Sequence, residues 1–111
     1  GLGDGGLISN AIDTAKFINA LVVQKTLLSP QILNEMLTFI PTGEGDEYGL
    51  GIGLYQTDVG EAIGHDGNSY GFVSLMLHYP DENITAVVLV NKDGDFTEEI
   101  LDRGLKVYTQ S

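Results

Sequence analysis

The stretch FVSLMLHYPDENITAVVLV, residues 72–90, decides the fold. Its composition predicts two strands, residues 72–79 and 84–90, joined by a turn in which Pro80 stands at a position that turns favour. The second strand is apolar on both faces instead of alternating, which is typical of a strand covered above and below. We therefore expect an antiparallel sheet with this strand in its interior.

Helices are predicted on both sides of the sheet along the chain. Apolar residues at helical spacing follow Asn10, which can cap a helix over about residues 11–24. Ser29 can cap a second helix, which has proline at its first position and ends before the next proline. A closing helix is expected to open at Asp95.

Two more strands are predicted before residue 72. From Tyr48, aliphatic residues alternate with Gly49, Gly51 and Gly53, so one face of this strand is bare; crowding under a helix and contact with a ligand both explain the glycines. A short strand follows at residues 61–64. The order predicts an α+β fold, with an antiparallel sheet of about three to four strands packed with two N-terminal helices and a C-terminal helix.

The charge of the chain excludes several partners. Its 111 residues include 5 basic and 16 acidic ones, for a net charge of −11. The scattered basic residues form no patch for nucleic acid or an anionic membrane surface. The absence of cysteine excludes disulfides, thiolate metal sites and cysteine nucleophiles. No apolar run reaches the ~18 residues of a membrane span.

The pattern G-x-S-x-G at residues 67–71 could make Ser69 a nucleophile. That motif needs a helix after the serine and, further on, an acidic residue followed by a histidine. Here a strand follows, and the last histidine, His78, precedes the later aspartates. We therefore interpret the pattern as a glycine-flanked turn between strands.

His65 is the better candidate for a functional side chain. With Gly64 and Gly67 around it at the end of a strand, its imidazole can stand clear of the sheet while the backbone approaches a bound molecule. An ordinary surface histidine explains the same pattern. We assign His78 a structural role, and two histidines without a carboxylate cluster make a poor metal site, so we predict neither a metal nor a cofactor.

Several segments together resemble a known family. Residues 5–17, GGLISNAIDTAKF, resemble a stretch of the serine β-lactamases of class C type and the related D-alanyl-D-alanine carboxypeptidases and esterases. LLSP at residues 27–30, YGLGIG at 48–53 and GHDG at 64–67 follow in the order of that family. The resemblance covers nearly the whole chain, and it implies a partial β-lactamase-like fold.

The resemblance also implies a catalytic site. The family uses a serine in S-x-x-K, a Tyr-x-Asn motif, and a third motif, K-T-G or H-x-G, which His65, Asp66 and Gly67 match here. It implies that His65 handles charge and protons near the leaving group, that Gly67 allows close approach, and that the backbone N–H of Asn68 is an oxyanion donor. Asp66, where threonine or a small residue is more common, and Ser69 are expected to contact substrate.

Neither S-x-x-K nor Tyr-x-Asn occurs in the sequence. We therefore expect residues 1–111 to be a single C-terminal segment of a larger serine hydrolase, inactive alone, whose partner is the missing N-terminal part. By resemblance, the parent acts outside the cytoplasm. A non-catalytic binding module that keeps the fold is the alternative. In the family, strands from the N-terminal part flank the strand at residues 84–90, so we expect this edge to be unpaired here and to form a homodimer.

Overall fold

The computed structural model describes Gly3 and residues 5–110. Along the chain it contains three α-helices, a π-helical turn and six strands. These are α1 (Ala11–Asn19), the π-helical turn (Ala20–Gln24), α2 (Pro30–Met36), β1 (Ile40–Pro41), β2 (Glu47–Tyr48), β3 (Gly53–Gln56), β4 (Glu61–Ser69), β5 (Phe72–Tyr79), β6 (Ile84–Val90) and α3 (Thr97–Thr109).

The six strands form one antiparallel sheet in chain order, β1 to β6. The α+β fold is confirmed, with β5 and β6 at their predicted positions. The sheet has six strands instead of three or four because β1 and β2 are only two residues long, too short to show a period in the sequence.

The single strand predicted from Tyr48 is wrong, because the chain reverses there. Gly51 has φ +73°, a left-handed conformation that glycine adopts without strain, and the reversal pairs Tyr48 with Gly53. The loop is fixed to α2, since the N–H of Leu50 donates to the carbonyl of Met36 at 3.0 Å. A Cβ on Gly49 would overlap that carbonyl oxygen, so at this glycine close packing is the explanation.

The helices begin largely where the sequence predicts. The Asn10 side chain accepts from the N–H of Asp13 at 2.8 Å, and the Ser29 hydroxyl accepts from the N–H of Ile32 at 3.3 Å. The first helix continues from α1 into the π-helical turn. The prediction for Asp95 is wrong, because α3 begins at Thr97 without a side-chain cap.

Two hydrophobic clusters cover the two faces of the sheet. The first packs α3 on one face, and the second packs α1, the π-helical turn and α2 on the other. The buried members of the first are Ala62, Leu75, Leu77, Tyr79, Leu101 and Leu105. Those of the second are Ile18, Leu21, Val22, Leu33 and Ile52.

His78 has the structural role predicted for it. It is 6% exposed, and its Nδ1 lies 2.9 Å from the hydroxyl of Thr85 on the next strand. Burial lowers the pKa of His78 and so favours the neutral ring. This histidine therefore links β5 to β6.

Within the described part of the chain, β6 pairs only with β5, so its other edge carries no strand. Helices α1 and α3 both contact it, which explains why its sequence is apolar on both faces. It is thus covered above and below, as predicted, but lies at the border of the sheet instead of its interior. Among the described residues, none of the helices has the length and apolar character needed to cross a membrane.

A substitution at Gly64 tests how tightly β4 and β5 pack. A Cβ at Gly64 would overlap the carbonyl oxygen of Met76, a backbone atom that cannot turn aside. Gly64→Ala should therefore lower the free energy of unfolding by ~1–3 kcal/mol, measured by urea denaturation. Gly104→Ala is the matched control: no atom lies within 4 Å of its Cβ position, and alanine in α3 should raise stability by up to ~1 kcal/mol. Equal effects of the two variants would contradict the close contact.

Candidate functional site

The candidate site lies where β4 extends beyond the residues that pair with β3. β3 pairs with Glu61–Gly64 only, from the Gln56–Glu61 pair to the Gly53–Gly64 pair, while β5 pairs with β4 from Ile63 to Ser69. Beyond Gly64, no described strand lies on the β3 side of β4. We call residues 65–69 of β4 the open edge.

The hairpin register decides which backbone groups reach the open edge. Tyr70 and Gly71 have φ of 41° and 83°, as in a type I′ turn, and such a turn makes Ser69 and Phe72 a hydrogen-bonded pair. Hydrogen-bonded positions then alternate along the ladder. The main-chain N–H and C=O groups of Asp66 and Asn68 therefore point away from β5, into the open edge.

This turn settles two predictions. β4 continues to Ser69, so the predicted end of this strand at residue 64 is wrong. The strand is longer because a turn of only two residues joins it to β5. A strand follows Ser69, so the nucleophile-elbow reading is excluded as expected. The side chain of Asp93 holds the turn in place by accepting from the N–H of Gly71 at 2.9 Å.

All five predicted site residues lie on β4, but their side chains alternate between its faces. The face of His65, Gly67 and Ser69 continues from Ile63, which packs with the α1 cluster. The face of Asp66 and Asn68 continues from Ala62, which packs with α3. The five residues therefore share one stretch of backbone at the open edge, but their side chains do not line a common pocket.

The imidazole of His65 is hydrogen-bonded at both nitrogens. Its Nδ1 contacts the carbonyl oxygen of Asp66, and its Nε2 lies 2.8 Å from the hydroxyl of Tyr48. The two rings meet edge to face, with centroids 5.8 Å apart and an interplanar angle of 69°. Sequence analysis missed Tyr48 as a site residue, because 17 residues separate it from His65.

Asp66 lies at the rim of an acidic cavity on the α3 face. This cavity has a volume of about 580 Å³, and His65 does not line it. Its acidic wall is formed by Asp46, Asp58, Asp66, Glu98 and Asp102. So many carboxylates would repel an anionic group there.

Tyr55 joins this cavity to the site strand. Its ring lies over Gly53, where an added Cβ would be 2.7 Å from the ring, and its hydroxyl is 3.5 Å from the carboxylate of Asp66. Burial first, and then the negative charges of Asp66 and Asp46, raise the pKa of Tyr55 to about 12. Tyr55 therefore stays neutral and acts as a donor beside Asp66.

Within the part of the chain that the structure describes, no group of three or more histidines and carboxylates is arranged to hold a metal ion. The groups at the open edge are a histidine, a tyrosine hydroxyl and two outward-facing backbone amides. Such amides can stabilise a negatively charged oxygen.

Comparison with known proteins identifies a family and a similar solved structure. The Beta-lactamase family model matches residues 2–110. Among solved structures, the chain is similar to a D-stereospecific amidohydrolase from Streptomyces sp., with 33% identity and a TM-score of 0.70. The match covers 83% of this chain and 28% of that one, so the chain spans less than a third of that protein's length. No curated protein matches the chain.

The environment of Tyr55 can be tested by removing one charge. Asp66→Asn should lower the pKa of Tyr55, while burial, the largest cause, keeps it above 10. ¹³C NMR titration of the tyrosine Cζ, assigned with Tyr55→Phe, measures the change; Asp81→Asn, in the turn after β5, is the control. Because the folded-state pKa is raised, the stability that Tyr55 contributes is full below pH 10 and is lost as the pH rises towards 12. A Tyr55 pKa that Asp66→Asn leaves unchanged would contradict the contact.

Proposed function

The chain belongs to the beta-lactamase family, and we propose that it is the C-terminal part of a serine hydrolase that cleaves amide or ester bonds through an acyl-enzyme. The amidohydrolase match supports this, because it aligns nearly all of this chain with a minor part of a longer enzyme. The missing nucleophile and its base would belong to the rest of the parent.

The open edge is the observation that carries this proposal. When an acyl group is attacked, negative charge develops on its carbonyl oxygen, and fixed N–H donors stabilise that charge. The register points the N–H of Asn68 away from β5, within the plane of the sheet. Asn68 follows Gly67, in the part of β4 that β3 does not reach. Gly67 has no side chain, so an acyl group could approach this amide closely.

His65 would act at the same edge, on the leaving group. Its ring is held by the carbonyl of Asp66 and by the hydroxyl of Tyr48, so it has a defined orientation. Both ring nitrogens are already hydrogen-bonded, so His65 would act through its charge: a protonated imidazole there would offset the negative charge that develops on the leaving group. We assign His65, Gly67 and Asn68 to catalysis on this basis.

The negative charge of Asp66 affects which substrates can bind. A carboxylate near the edge repels a substrate carboxylate, whereas the threonine hydroxyl more usual at this position would hold one. We therefore propose a neutral or cationic amide or ester substrate, with Ser69 as a contact at the end of β4. The D-stereospecific amidohydrolase supports an amide bond next to a D-configured centre.

Alone, the chain should be inactive, because acylation needs an activated nucleophile and the sequence has no S-x-x-K. A fluorescent penicillin should form no covalent adduct with the isolated chain by mass spectrometry. Stoichiometric labelling would overturn this. The coding sequence upstream of Gly1 should encode S-x-x-K and Tyr-x-Asn; without them, a non-catalytic binding module would be favoured.

The role of the Asn68 amide can be tested in the parent enzyme. Asn68→Pro removes the N–H, and because this residue lies at a non-hydrogen-bonded ladder position, pairing with β5 is kept. Loss of one oxyanion donor should reduce kcat by about 10²–10³-fold, measured on a D-amino acid p-nitroanilide.

Asn68→Ala is the matched control, since it removes the side chain and keeps the N–H. Its kcat should stay near that of the unmodified parent. A proline variant as active as the alanine variant would rule out this amide as an oxyanion donor.

We propose further that the free edge of β6 is a pairing surface. In the parent it would pair with strands of the N-terminal part, and in the isolated chain with β6 of a second copy. Exposed strand edges recruit partners in this way, and charged residues block them.

Sedimentation velocity at several concentrations tests this edge. The isolated chain should show a concentration-dependent sedimentation coefficient. Leu89→Lys, at a 43% exposed position of β6, should shift it towards the monomer, whereas Val107→Lys, at a 72% exposed position of α3, should not. A concentration-independent monomer would count against edge pairing.

A further inference from the structure

We infer that Tyr48 is a positioning residue for His65, an inference that rests on the proposed function. The observation is the pair of hydrogen bonds that hold the imidazole, one at each ring nitrogen. Two partners of different chemistry fix both the direction of the ring and the place of its proton.

The partners determine the tautomer. A backbone carbonyl only accepts hydrogen bonds, so the contact of Nδ1 with the Asp66 carbonyl requires the proton on Nδ1. In the neutral ring Nε2 is then an acceptor, and the hydroxyl of Tyr48, 2.8 Å away, donates to it. When the ring takes up a second proton, Nε2–H donates and the same hydroxyl accepts. Tyr48 therefore supports both charge states of His65 in a single ring orientation.

The backbone of Tyr48 is fixed by its pairing with β3 and by a contact of the following loop with α2. Its strand, β2, pairs with β3 through the Tyr48–Gly53 pair, and the loop that follows is tied to the end of α2 through Leu50 and Met36. Gly49 makes this tie possible, because any side chain there would overlap the Met36 carbonyl. The backbone that carries the tyrosine side chain is thus fixed by these contacts.

The position also leaves the Tyr48–His65 pair partly exposed. Tyr48 is 38% exposed and His65 is partly buried, so the pair forms one wall of the open edge without filling it. A substrate at the edge would meet a histidine whose orientation is already set. Preorganisation of this kind lowers the cost of reaching the transition state, so its loss should affect kcat more than KM.

The direct test is the tautomer of His65 in the isolated chain. Long-range ¹H–¹⁵N NMR of the neutral imidazole should show a single Nδ1–H form. Tyr48→Phe keeps the aromatic ring and removes only the hydroxyl, so His65 should change to a mixture of tautomers. Tyr70→Phe, at an 86% exposed position in the turn after β4, is the control and should leave His65 unchanged. An unchanged Nδ1–H form in Tyr48→Phe would overturn the inference.

The second test uses the parent enzyme. Tyr48→Phe should lower kcat with little change in KM, and Tyr70→Phe should change neither. Unchanged kcat in Tyr48→Phe would overturn the positioning role. The spectra decide on the contact between Tyr48 and His65 whatever the parent hydrolyses, so failure of the proposed function is distinguishable from failure of this inference.

Discussion

The antiparallel ladder between β4 and β5 is the interaction on which the rest of the structure depends. It runs from Ile63 to the type I′ turn, and it fixes which backbone groups of β4 are satisfied and which point outwards. β3 begins at Gly53, opposite Gly64, and so covers only the first part of β4. The candidate site exists because of this difference in length: the same strand is an interior strand at one end and an edge at the other.

Two tyrosines line that edge, one beside His65 and the other beside Asp66. Tyr48 holds the imidazole through Nε2, and Tyr55 lies over Gly53 towards the carboxylate of Asp66. The two tyrosines serve different ends. Tyr48 orients a group at the edge, whereas Tyr55, with its pKa raised to about 12, is a neutral neighbour for an acidic surface. This acidic surface lies on the face of the sheet that carries Asp66, and its negative charge affects which groups can bind there.

The sequence predicts the parts of the fold that local physics decides. The apolar run of β6, the turn before it and the caps at Asn10 and Ser29 depend on neighbours within a few residues, and the structure confirms them. The reversal at Gly51 and the pinning of Gly49 to Met36 depend on contacts across the fold, so alternation alone suggested one strand. The H-x-G segment was found by resemblance. Its partner Tyr48 was not, because two strand pairings, β2 with β3 and β3 with β4, must form before the two rings meet.

The central claim is that the open edge of β4 displays the Asn68 amide outwards, and amide hydrogen exchange of the isolated chain tests it most directly. The account predicts alternation along β4: the amides of Gly67 and Ser69, which donate to β5, should be protected, while that of Asn68 between them exchanges much faster. Protection of Asn68 equal to that of Gly67 would mean that this N–H is already bonded within the sheet, and it would contradict the proposed site.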